Sequence, residues 1–259
     1  MLFRSDVAFL TIGIKTYRPV WTRGAWKLFF QVARTYTALI TSGLLFYAGQ
    51  WMDKFYFWIA RGTFVAGTNL RVYEAYDIQV YIAGLTVLPG LVYFTVIAET
   101  QIFVDLKHFL FTLNHSTWTG IRKARKRIVD DVRKELVDQS LLQAGSSLLL
   151  AALVIASGLS VGSGGIGNPV LWVAMTAAFG QFTLLSLLIY LYYFEMYRHA
   201  MVSALVYFAL NSAGSVLLYS MFPSLLPGVS HCVAAAAACF IAYSLLMKVL
   251  YNAERLRSE

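Results

Sequence analysis

The chain has 259 residues, of which 59% are apolar and 13% charged, and its mean hydropathy is +0.63. A water-soluble globule needs a charged surface that this composition does not supply, so the bilayer is its solvent. The net charge of +8 falls largely on one side of the apolar segments, which ties it to membrane topology and anionic lipid and gives little reason to expect nucleic acid.

In chain order, residues 6–14 form an apolar stretch too short to cross a bilayer, and a basic flank carrying Arg18, Arg23, Lys27 and Arg34 follows. Residues 1–35 therefore read as a truncated upstream segment with a cytoplasmic basic flank. Met1 to Ser5 resembles translated adapter sequence. Six apolar stretches of roughly twenty residues or more come next, at 36–61, 77–104, 140–161, 169–196, 199–222 and 229–251. Uninterrupted runs such as 148–156 and 184–193 favour helices over the alternating pattern of a barrel strand, so the expected fold is an all-α polytopic bundle. Eighteen of the 21 Lys and Arg residues lie on one side of these spans and two, Arg61 and Arg71, on the other. The excess of positive charge assigns both termini, the loop at 105–139 and the tail at 252–259 to the cytoplasm.

Within the pair of spans at 36–104, the first places Asp53 and Lys54 inside a run of aromatics. Tyr47, Trp51, Lys54, Trp58 and Arg61 share one helical face, while Ser42, Gly49 and Asp53 share another. Aromatic rings stack on the C–H faces of pyranoses while polar neighbours bind hydroxyls, so the first face suits a sugar. Aromatic belts and snorkelling bases at any membrane interface give the same pattern. The second span holds Pro89 and Gly90 close to the bilayer centre, where a missing backbone donor and a permissive residue predict a kink and a hinge. Asp77 near its start and Glu99 near its inner end are ionisable groups in a membrane segment, and so candidates for a substrate path.

The segment 105–139 is the one sizeable polar stretch. Ile121, Ala124, Ile128, Val132 and Leu136 keep helical spacing among Arg122, Lys123, Arg125, Lys126 and Arg127, which predicts an amphipathic cytoplasmic helix that lies on anionic lipid or docks a partner. Four spans at 140–251 complete the chain, with a glycine-rich turn at 162–167.

Enzyme chemistry is not indicated. His108, His115, His199 and His231 have no metal-ligand spacing, no nucleophile and base pair or nucleotide loop is visible, and neither a metal nor another cofactor is implied. Cys232 and Cys239 are about 10 Å apart along one helix, too far for a disulfide, and read as packing residues.

The order Trp51-Met52-Asp53-Lys54-Phe55, Tyr76-Asp77-Ile78, Leu88-Pro89-Gly90-Leu91, Glu99-Thr100, then a basic helix and four spans, resembles the Pel exopolysaccharide exporter (PelG) family from about Lys27 to the end. That family looks like a branch of the multidrug, oligosaccharidyl-lipid and polysaccharide flippases, built as twelve helices in two lobes, of which this chain would be the C-terminal six-helix lobe. The resemblance implies export of a hexosamine-rich polysaccharide across the bacterial inner membrane for biofilm matrix, with a cytoplasmic glycosyltransferase and membrane scaffold subunits as partners. A multidrug or lipid-linked oligosaccharide flippase of the same fold, or a non-transporting scaffold of the synthase, are the alternatives.

Overall fold

The computed structural model describes residues 24–156 and 168–252, without the side chains of a few helical residues, Glu99 among them. The apolar stretch 6–14, the glycine-rich turn at 162–167 and the tail from 253 lie outside the described residues. The chain is helical almost throughout: α1 (Ala25–Thr35), α2 (Thr37–Ala60), α3 (Glu74–Leu85), α4 (Val87–Tyr93), a π-helical turn (Phe94–Ala98), α5 (Glu99–His115), α6 (Trp118–Ala156), α7 (Pro169–Tyr193), α8 (Tyr197–Met221) and α9 (Val229–Asn252). A two-stranded antiparallel hairpin, β1 (Thr63–Phe64) and β2 (Arg71–Val72), joins α2 to α3 and pairs Thr63 with Val72. This is an all-α polytopic membrane protein.

Five helical stretches among the described residues are long and apolar enough to cross a bilayer: Glu74–Val96, Thr119–Leu153, Pro169–Tyr193, Tyr197–Met221 and Val229–Lys248. The sequence suggested six. The missing one is α2, which at 24 residues is about 36 Å long but carries Gln50, Asp53 and Lys54 in its C-terminal half. Its length suits a span, and its polar groups turn inward.

In lipid no hydrophobic force drives one apolar helix onto another, so close association depends on small residues that let backbones approach. Helix α8 presents Ala200, Ser203, Ala204, Tyr207, Asn211 and Ser215 as its buried stripe, and α2 packs along it. Gly49 is a point of close approach, where an added Cβ would stand 2.8 Å from the Tyr207 ring and 3.2 Å from the Phe208 backbone. Helix α9 fits its Ala234, Ala235, Ala238 and Ala242 between α7 and α8. The thiols of Cys232 and Cys239 donate to the carbonyls of Val173 and Gly180 on α7, both at 3.2 Å.

The second expected span is broken. The helix stops at Leu85 and restarts at Val87, with Thr86 between, and a π-helical turn follows at 94–98. Pro89 lacks the N–H that would have bonded the carbonyl at position 85, so the interruption falls one turn before the proline. Polar groups bond other carbonyls beside the break: Ser146 Oγ donates to the Thr86 carbonyl at 3.0 Å, and Thr86 Oγ1 donates to Ala83 O at 2.6 Å. Gly90 packs against α6 and α7, since a Cβ there would collide with Gln143 Oε1 and lie 2.8 Å from Phe182. Packing partners also change at the break, with α3 on α7 and both α4 and α5 on α6.

The basic amphipathic stretch is not a separate helix beside the third span. Trp118–Ala156 is one helix of 39 residues, about 58 Å long, which exceeds the roughly 40–45 Å of a bilayer with its headgroups. It contains no proline, and its glycines stand only at 120 and 145. Its apolar positions Ile121, Ile128, Val129 and Val132 are buried, the last three in the main core, while Arg122, Lys123, Lys126 and Arg127 stay exposed. The face expected to rest on lipid is covered by the protein itself.

Ahead of it all, α1 buries nothing and shows Trp26, Phe29 and Phe30 outward, with Lys27 and Arg34 among them. Such a helix suits the membrane interface.

Gly49→Ala should destabilise the bundle by about 1–3 kcal/mol through overpacking against Tyr207, whereas Gly43→Ala, which meets nothing within 4 Å, should be neutral or slightly stabilising. Denaturant unfolding of the two variants in detergent checks the contrast.

Candidate functional site

A carboxylate inside a membrane bundle is costly unless donors and a counter-charge surround it. Asp53 is fully buried, its hydrogen-bond donors come from two other helices, and a third reaches one of those donors. The Tyr76 hydroxyl, from the first turn of α3, donates to Asp53 Oδ2. His231 Nδ1, from the first turn of α9, donates to the same oxygen at 3.3 Å. Both donors thus sit at helix N-termini, whose positive ends favour a nearby anion. Tyr207 on α8 closes the chain through its hydroxyl, 2.7 Å from His231 Nε2. With Nδ1 protonated in the neutral imidazole, Nε2 accepts from Tyr207; in the charged ring it donates to that hydroxyl.

The other carboxylate oxygen, Oδ1, makes no hydrogen bond and faces the Lys54 ammonium at 3.6 Å. Lys54 lies at the edge of the exposed arc of α2 and bends inward, donating to Gln50 O at 2.7 Å with its ammonium 5.6 Å from the centre of the Trp51 ring. Above the charges, Phe57, Tyr73, Tyr76 and Tyr219 form an aromatic cover, with Phe57 centred 4.7 Å from Tyr219 and 5.2 Å from Tyr76. Gly228 lies against Tyr76 in the left-handed region, at φ 90°, and a Cβ there would stand 3.2 Å from the hydroxyl. Deeper in, Asn211 donates to the Gly49 carbonyl at 2.8 Å, and Ser230 donates to Asn211 Oδ1 at 3.1 Å.

Beside this network a cavity of about 260 Å³ runs between α2, α3, α4, α7 and α9. Lys54, Tyr76 and His231 form its charged end, Gln50 and Gln181 add amides, and Val80, Val87, Leu91, Phe182 and Leu185 supply apolar wall. Along the chain Tyr76 and Leu91 are fifteen residues apart, so the wall follows the broken helix for roughly 22 Å. An ammonium, an imidazole and two amides on apolar surface can orient hydroxyl and amide groups of a ligand while its C–H faces stay dry.

The residues singled out in sequence divide. Asp53 and Lys54 are at the centre. Tyr47 and Trp51 point away from the bundle, Tyr47 with 61% of its surface exposed, and neither lines the cavity. Trp58 donates its indole N–H to both oxygens of Asp77, at 3.1 and 2.9 Å, while Asp77 also accepts the Tyr73 amide at 2.9 Å. Asp77 therefore ties α2 to the start of α3 and reaches back to the amide of Tyr73, the residue that precedes that helix. Arg61 reaches the Pro223 carbonyl at 2.6 Å. Glu99 opens α5, its side chain outside the described residues. Pro89 and Gly90 flank the cavity wall through Val87 and Leu91. Arg122, Lys123, Arg125 and Lys126 border a separate basic hollow at the far end of α6, and Arg127 is exposed near them.

His231, Tyr76 and Tyr207 were missed as site residues. A histidine at the start of an apolar helix has no spacing signal, and its partner Asp53 lies 178 positions away. Glu135, buried and accepting from the Tyr93 hydroxyl at 2.9 Å, was also unflagged within the basic helix.

Tyr76→Phe removes one hydrogen bond to a buried charge and should cost about 1.5–3 kcal/mol, while Tyr47→Phe on the exposed face should change stability by under about 0.5 kcal/mol. Unfolding titrations of both in detergent test this.

Searches among curated proteins and among solved structures each gave no match. The family described as "PelG: Putative exopolysaccharide Exporter (EPS-E)" matches residues 7–256, nearly the whole chain, and the residues of the Asp53 network and its cavity all fall within that range. The chain belongs to the PelG exopolysaccharide exporter family.

Proposed function

We propose that this protein exports a hexosamine-rich exopolysaccharide of the Pel type across the bacterial inner membrane, and that the cavity beside Asp53 is part of the wall along which the polymer passes. Membership of an exopolysaccharide exporter family supports polymer export, a transport role and not an enzymatic one. The observation that carries the site assignment is the buried Asp53–His231–Tyr207 chain with Tyr76 and Lys54, because ionisable groups are kept inside a membrane bundle at a cost that function usually explains.

The cavity is smaller than the roughly 300–1,000 Å³ of sites that enclose a whole small molecule. It fits one wall of a route that handles a chain a sugar at a time. Gln50 and Gln181 supply amide groups of the kind that pair with the N-acetyl and hydroxyl groups of hexosamines, and Val80, Leu91 and Phe182 face their apolar sides. The excess of Lys and Arg supports a cytoplasmic position for both termini and the basic half of α6, where a glycosyltransferase would deliver the polymer and scaffold subunits would dock. Biofilm matrix is the destination that this substrate suits. In this reading the chain acts as one lobe of a two-lobe transporter, and rocking of the lobes about the site would give alternating access.

The test is polymer secretion by a deletion strain complemented with the gene carrying Asp53→Asn or His231→Ala, with membrane levels of each variant measured alongside. Secretion reduced at least tenfold at normal membrane levels is expected. Unchanged secretion with both variants would remove the site from the route and favour the scaffold alternative; secretion of a lipid-linked oligosaccharide in place of polymer would favour the flippase.

A further inference from the structure

The fusion of the basic stretch with the third span puts two hollows end to end along α6. The first, about 640 Å³, is bordered by Arg122, Lys123, Arg125, Lys126 and Arg133, with Asp130 as the acid among them. The second, about 830 Å³, is a groove between α6, α7 and α9, floored by residues such as Val137, Leu141, Ala144, Phe179 and Phe240. Arg133 borders both. Arg122, Lys126, Arg133, Val137, Ser140 and Ala144 recur at helical spacing, so one face of a single continuous helix passes from basic to apolar.

Depth fits the change in chemistry. Arg133 stands seven residues, about 10 Å, before Ser140, where the apolar run begins, and so falls at headgroup level when the groove lies in hydrocarbon. Val137, Leu141 and Phe240 are all more than half exposed, an apolar surface that suits acyl chains in a bilayer. A ligand that matches both hollows has an anionic head and an extended apolar tail.

We infer that α6, α7 and α9 form a binding site for an anionic diacyl phospholipid of the cytoplasmic leaflet, its phosphate held at Lys126 and Arg133 and an acyl chain lying in the groove past Ala144. This site is distinct from the Asp53 cavity and holds whether or not the polymer passes there; it rests on the basic end of α6 facing the cytoplasm. The basic hollow is lined by α6 alone, and clusters of Lys and Arg next to a membrane span on that side are a recurring setting for such headgroups. A lipid bound across the junction would brace the projecting end of α6 against α7 and α9 at the membrane surface.

The experiment is native mass spectrometry of the protein in detergent with dioleoyl phosphatidylglycerol, dioleoyl phosphatidylcholine or a polyisoprenyl phosphate, alone and in competition. At least a tenfold preference for phosphatidylglycerol over phosphatidylcholine is expected, falling to about twofold or less in the double variant Lys126→Gln, Arg133→Gln. Ala144→Phe, which fills the groove without touching charge, should lose the retained phosphatidylglycerol too, and Arg71→Gln at the opposite end should keep it. Equal retention of the two phospholipids by the unaltered protein, or a preference that survives Ala144→Phe and the double variant, overturns the site. Displacement of phosphatidylglycerol by an equal amount of polyisoprenyl phosphate overturns its assignment to a diacyl lipid. Should the double variant fail to fold, a salt titration on the unaltered protein replaces it: a preference unchanged between low and high salt overturns the role of the basic residues.

Discussion

One buried negative charge organises the half of this bundle around the N-termini of α3 and α9. Asp53 sits where water does not reach, and a carboxylate there is tolerated only if its environment replaces the hydration it gave up. Four helices contribute to that replacement: α2 brings the acid and Lys54, α3 brings Tyr76, α9 brings His231, and α8 reaches the imidazole through Tyr207. Moving any of these helices by a side chain's length would strand a charge or a buried hydroxyl. The network thus fixes mutual register as well as neutralising a charge, a task for which apolar packing alone is poorly suited.

The small residues make that network reachable. Hydrogen bonds between helices form only if the backbones come close, and Gly49 on α2 and the alanines of α9 set those approaches. Gly228 serves the same end differently: its positive φ turns the chain into α9 directly beneath the Tyr76 hydroxyl, which leaves no room for a side chain. The sequence features that look least chemical therefore hold the most chemical part of the molecule together.

Much of the fold was legible because apolar length and the positions of Lys and Arg report on a bilayer directly. The ends of α2, α7, α8 and α9 fall within a few residues of the apolar runs, and Pro89 announced the interruption near Thr86. Where the structure differs from the sequence reading, the causes are physical. The basic stretch and the third span were separated on composition, although nothing between Trp118 and Ala156 breaks a helix, and backbone continuity takes no account of a change in polarity. In the site, Asp53 and Lys54 stood out because charges interrupt an apolar run, but their partners did not. Tyr76, Tyr207 and His231 are unremarkable in their own segments and gain meaning only from contacts across long stretches of chain. Tyr47 and Trp51 were grouped with Lys54 by helical periodicity, which gives a residue's angle but not the bend of a long side chain at the edge of an arc.

The break at Thr86 divides one membrane crossing between two mechanical neighbours. Above it, Glu74–Leu85 is seated on α7; below it, the chain from Val87 onward is seated on α6. A tilt of α6 about its membrane end would carry the lower segment with it and leave the upper one clamped beside Asp53. The wall of the cavity is made from both segments, Val80 and Gly84 above and Val87 and Leu91 below. Its cross-section is accordingly set by the angle between two segments, one packed on α7 and the other on the 39-residue α6.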